Sequence, residues 1–214
     1  MKLRHLFVAR LSFPLASAIA ALLVAQSASA ATYYWDSNGA TTGYGTATGT
    51  WAAPTVSRWG TNDSGSAVPG ASITTLNTNG TTDALNFGSF KSGLGAGTIT
   101  VSGTVNSGNM TFDALSGAIG FSGGTISFWA SPVIAVNNVS ATFSSVLAGA
   151  GTSLTKTGIG TLALNGTTSN TFTGGLNLNA GALALDFANM TTPTDLLASG
   201  KALTFGGANM TILG

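Results

Sequence analysis

An all-β fold, a right-handed parallel β-helix or β-solenoid, is what this 214-residue sequence predicts. Three observations carry the expectation. Apolar residues recur in short runs with a period of two, Gly and Asn punctuate those runs, and charged residues make up only 6% of the chain.

The period appears as Ile99 and Val101, Met110 and Phe112, Ile119 and Phe121, Ile126 and Phe128, Ile134 and Val136. It continues as Leu162 and Leu164, Leu176 and Leu178, Leu183 and Leu185, Leu203 and Phe205, Met210 and Ile212. Each pair places two apolar side chains on one face of a strand and a small or polar residue on the other. Helices are disfavoured, because Gly, Thr, Ser and Asn form them poorly and no run repeats every 3.6 residues.

Successive pairs start about seven to fourteen residues apart, with Gly123-Gly124, Asn137-Asn138 and Gly174-Gly175 between some of them. Three such strands make a coil of about 20–30 residues, the size of a solenoid repeat. The scarcity of charge agrees. Equivalent positions of stacked coils sit about 4.8 Å apart, where like charges repel, whereas Thr, Ser and Asn can hydrogen-bond along the stack. An antiparallel sandwich or barrel would use the same short alternating strands and is the alternative.

The first thirty residues read differently. Lys2, Arg4 and Arg10 precede an apolar run from Leu11 to Val24, and AQSASA follows with small residues at Ala28 and Ala30. This is the order of a secretory signal peptide cut after Ala30. A membrane span needs about 20 apolar residues, and this run is shorter and contains Pro14.

Cleavage would leave four basic against six acidic residues, a formal charge of −2, with no Cys, His or Glu. A basic nucleic-acid footprint is absent, and no polybasic stretch would hold the mature chain to an acidic membrane. Without disulfides, burial and hydrogen bonding must hold the fold. Gly, Thr, Ser and Asn supply 96 of the 184 remaining residues, yet 44% of the whole chain is apolar and mean hydropathy is +0.37, so order is expected rather than a disordered tract.

Residues 149–185, GAGTSLTKTGIGTLALNGTTSNTFTGGLNLNAGALAL, carry Gly149, Gly151, Leu154, Lys156, Gly158, Gly160, Thr161, Leu162, Leu164, Gly166, Asn170, Phe172, Gly174, Gly175, Gly181 and Leu183. This pattern resembles the autotransporter-associated β-strand repeat, and 97–128 and 201–214 resemble degenerate copies. The resemblance implies a β-helical stalk or passenger exported across a Gram-negative type envelope. Proteins with this repeat often end in an outer-membrane barrel or a sorting anchor. Neither is visible before Gly214, so a C-terminally truncated chain is expected.

The segment 31–90 holds three of the four tryptophans, Trp35, Trp51 and Trp59. It is expected to form an N-terminal cap over the first coil of a 91–214 solenoid. The sharper alternative is an aromatic platform for sugar rings.

Motifs with chemical associations find no support. Gly120-Phe121-Ser122-Gly123-Gly124 fits a nucleophile elbow, but no histidine remains to activate the serine. Ser153 to Lys156 and Lys156 to Gly158 spell S-x-x-K and K-T-G, yet they overlap where the enzymes need separate elements. Asp36-Ser37-Asn38-Gly39 resembles part of a calcium loop without its closing Glu and reads as a turn. A polysaccharide hydrolase or lyase could run on carboxylates alone, and Asp83 with Asp113 is the pair to inspect.

No catalytic, cofactor-binding or metal-binding residue is therefore assigned. The expectation is an exported, non-enzymatic passenger or stalk, structural or adhesive at the cell surface, whose partners are glycans or other surface and matrix components. A β-helical polysaccharide-binding or polysaccharide-degrading protein is the alternative.

Overall fold

A computed structural model of the chain describes residues 31–39, 41–53, 58–65, 83–129, 131–149, 151, 153–192, 196–197 and 199–214. The expected signal peptide, with its cut after Ala30, lies outside the described residues. Among those described there is no helix.

The strands come in successive coils. The first holds β1 (Thr32–Trp35) and β2 (Thr50–Ala52), followed by β3 (Trp59–Gly60). Three complete coils follow: β4 (Ala84–Phe87), β5 (Gly97–Ser102) and β6 (Thr104–Ser107); β7 (Asn109–Phe112), β8 (Ile119–Ser122) and β9 (Thr125–Phe128); β10 (Val133–Val136), β11 (Ser140–Phe143) and β12 (Val146–Ala148). Then come β13 (Leu154–Thr157) with β14 (Thr161–Leu164), β15 (Leu176–Leu178) with β16 (Ala182–Asp186), and β17 (Leu203–Phe205) with β18 (Asn209–Leu213).

Apart from β3, every strand pairs with an equivalent strand of an adjacent coil. The first sheet runs β3-β1-β4-β7-β10-β13-β15-β17, the second β2-β5-β8-β11-β14-β16-β18 and the third β6-β9-β12. Only β3 against β1 is antiparallel among these pairings. The chain is a parallel β-solenoid, which sets aside the sandwich and barrel. The stack also reaches into 31–90, since β1 pairs in parallel with β4 and β2 with β5.

The two-residue period fixes what lies inside. Ile99, Phe121, Phe143, Leu164 and Leu185 stand level on successive coils of the second sheet, all buried. Val105, Ile126 and Leu147 form the column of the third. Aromatic rings join the first two sheets: Phe87 stacks on Phe112 and Phe121 on Phe143, each at 4.8 Å between centroids, and Phe121 meets Phe87 edge-on at 5.2 Å. On β17 and β18, the outermost described coil, the same register leaves Phe205, Met210 and Ile212 exposed.

Amides and hydroxyls tie the coils where strands do not. Beyond β12, buried Asn170 accepts from the Leu147 N–H at 2.7 Å and donates through Nδ2 to the Leu196 carbonyl at 2.7 Å, so one side chain links three coils. Ser116 Oγ likewise accepts from the Leu94 N–H and donates to the Phe87 carbonyl. Among the described residues one ion pair occurs, Lys91 Nζ to Asp63 at 2.8 Å, with both side chains partly exposed.

Candidate functional site

The solenoid separates the carboxylates that a glycan-cleaving reading would need together. Ala84 is level with Asn109 and Phe87 with Phe112, so Asp83 lies just before one end of this strand pair and Asp113 just after the other. Five residues along a strand is about 16 Å, well beyond the spacing of about 5–9.5 Å over which paired carboxylates act. Asp113 is instead a turn residue, accepting the Leu115 N–H at 2.9 Å.

The other motifs resolve into structure. Asp36 Oδ1 accepts the N–H groups of Asn38 and Gly39 at 3.0 and 3.1 Å, the turn that the sequence suggests. Burial pushes the Asp36 carboxyl up, opposed by those two bonds and by Arg58. Ser122 ends β8 beside a tight turn in which Gly123 and Gly124 have φ of 73° and 42°.

Trp35, Trp51 and Trp59 are buried, and Trp59 meets Trp35 and Trp51 edge-on at 5.2 and 5.3 Å. No flat ring is offered to a sugar by these three. Trp51 and Trp59 go on to contact Phe121 and Phe87, so the tryptophans are continuous with the aromatic core.

Lys156 is the unexpected core residue. It stands level with Ile134 and Leu178 in an inward column and is fully buried. Its stem fills apolar space while Nζ turns into the corner and donates to the carbonyls of Thr157, Gly158 and Ala180 at 2.9, 2.7 and 2.9 Å. The corner has room because it is built of glycine. Gly158 has φ of 76° and lies against the Val136 carbonyl, and a side chain on Gly160 would run into the Asn138 carbonyl. Burial pushes the Lys156 ammonium down to about 8. It is thus a tether between two coils, with these three bonds going to backbone carbonyls rather than to the serine that S-x-x-K chemistry would require.

Two outward features remain. The corner between the first and second sheets presents one exposed apolar side chain on each of four successive coils: Phe90, Leu115, Val139 and Ile159, at 74, 62, 68 and 85% exposure. On the second sheet, Gly120 at mid-strand is level with Thr98 and Thr142 and opens a notch of about 330 Å³ that Ser144 and Asn165 also line. Ser144 Oγ donates to Asn165 Oδ1 at 2.7 Å. A side chain at Gly120 would meet mainly the Thr98 hydroxyl, so stacking does not demand glycine there.

No family model matches the chain, and no solved structure matches it. Over 166 residues, 77% of the chain, it is 34% identical to the adhesin BmaC autotransporter of Brucella suis biovar 1 (strain 1330). The chain spans about 4% of the length of that relative. Parallel coils and this similarity together support an autotransporter passenger-like protein.

Proposed function

We propose that the chain is a non-enzymatic segment of an adhesive passenger at the bacterial cell surface, and that it makes contact through the corner formed by Phe90, Leu115, Val139 and Ile159. The repetition of that exposure on four consecutive coils carries the reading. Contiguous exposed apolar surface marks interaction sites on soluble proteins. The matched relative is an adhesin by name, which supports the adhesive role.

Energetics favour repetition over a single tight contact. Burying four such side chains is worth roughly 6–12 kcal/mol at about 1.5–3 kcal/mol each, while association costs an estimated 4–15 kcal/mol. Four coils therefore give weak binding that strengthens when many coils engage at once. Protein is the fitting partner, since an apolar ridge gives sugar hydroxyls little to bond.

The test is adhesion of beads coated with 31–214 to epithelial cells and matrix-protein layers. Serine at all four ridge positions is expected to lower retention at least tenfold while the strand-type circular dichroism stays unchanged. Retention equal to wild type would remove the ridge from the reading.

The notch at Gly120 favours polysaccharide binding as a second reading, because hydroxyls and an amide line an uncharged recess suited to a neutral sugar. Gly120→Thr fills the recess. Loss of polysaccharide retention in that variant, with the ridge intact, is the result expected of a sugar site; unchanged retention eliminates it.

A further inference from the structure

Asp83 differs from the other described aspartates. Asp36, Asp113 and Asp186 each accept an N–H two or three residues ahead in their own turns, and Asp63 pairs with Lys91. Asp83 reaches across 52 residues, and its Oδ1 accepts from the backbone nitrogen of Ala31 at 2.9 Å. Ala31 immediately precedes β1, and its carbonyl accepts the Ala84 N–H at 2.8 Å, so the starts of β1 and β4 are bonded from both sides.

Holding a peptide N–H at the start of a strand does not require a carboxylate. One coil on, Asn109 Oδ1 accepts the N–H of Val133 on the following coil at 2.8 Å in a comparable place. In a chain with so few charges, an acid at 83 is the costlier choice for the same bond. What it adds is attraction for a positive charge, and Ala31 is the residue whose nitrogen the expected signal-peptide cut would free.

We propose that Asp83 is a built-in receptor for the α-ammonium group created by hydrolysis of the Ala30–Ala31 peptide bond. A signal peptidase supplies the catalysis and water the co-reactant. The hydroxyl goes to the Ala30 carbonyl, leaving a carboxylate, and the Ala31 nitrogen takes up protons to become an ammonium. The neutral amide bond to Asp83 then becomes an ammonium–carboxylate pair, shorter and stronger than its precursor. Processing in this way locks β1, whose far edge is covered, among the described residues, by the two residues of β3. An unguarded edge strand of that kind otherwise invites pairing with other chains.

The inference uses the exported reading only for the position of the cut, and two measurements separate them. N-terminal sequencing of the exported protein is expected to begin at Ala31; another first residue overturns the proposal at the processing step. The chain from Ala31 is then compared with the same chain N-acetylated, which restores a neutral amide. Acetylation is expected to lower the thermal midpoint by about 2–4 °C, the shift of a modest stability change in a chain this size, and to have no effect in Asp83→Asn. If acetylation leaves the wild-type midpoint unmoved, or moves both chains equally, Asp83 is not the receptor, whatever the exported N-terminus proves to be.

Discussion

Phe121→Ala is expected to destabilise the 31–214 chain by about 3–5 kcal/mol, the range for emptying a buried aromatic site. Phe121 stacks on Phe143 at 4.8 Å and meets Phe87, Phe112 and Trp51 edge-on at 5.2, 5.9 and 6.2 Å. Its removal takes out one of the two rings through which the tryptophans meet the complete coils. Each lost ring contact adds about 0.5–1.5 kcal/mol to the loss of burial. Phe90→Ala is the control, since that ring is 74% exposed and surface changes stay within about 0.5 kcal/mol. Denaturant unfolding followed by tryptophan fluorescence checks both. A difference between them below about 1 kcal/mol would contradict the packing described.

Lys156→Met is expected to cost about 1–3 kcal/mol, because three carbonyls lose their shared donor, and Lys156→Ala about 3–5 kcal/mol with the added cavity. Bonds from an ammonium are worth about 1.5–3 kcal/mol each, and they are opposed by the cost of burying the charge. That cost has its own signature. The buried ammonium titrates near 8 while an unfolded lysine titrates near 10.4. Between those values the unfolded chain binds more protons, so wild-type stability rises with pH. Above about 10 it falls again, since burial raises the Tyr44 phenol to about 12 and the unfolded tyrosine ionises first. The rise from pH 8 should be missing in Lys156→Met. Equal slopes in the two proteins would rule out a buried, titrating amine.

The inward faces were legible because a strand alternates strictly. From Ile99 to Leu185 each pair that the two-residue period selects is buried. Phe205, Met210 and Ile212 keep that register on the outermost described coil, where the same pattern produces exposure, while Leu203 packs partly buried against the core. Lys156 was legible as a repeat position but not as a core residue, since charge normally marks an outward face. The available signal is local: Lys156 alternates with buried Leu154 and is followed by Gly158 and Gly160, whose missing side chains make space for an ammonium.

The ridge carries no sequence period because its corners differ in length, running from 88 to 96 after β4, from 113 to 118 after β7, and over three residues after β10 and β13. Phe90, Leu115, Val139 and Ile159 come to the same corner of successive coils only when the strands between them stack. The tryptophans were ambiguous for another reason. TYYW places aromatics on both faces of β1, so alternation alone could not say which rings point inward.

That the described residues hold a single ion pair has a consequence for where such a protein can work. Dissolved electrolyte weakens attractions between exposed charges over about 8–10 Å at ordinary ionic strengths, and beyond Lys91 with Asp63 the described coils offer almost nothing for it to weaken. Greasy packing and amide ladders keep the rod's shape from dilute freshwater to brine, so its outline stays constant while the medium around the cell changes.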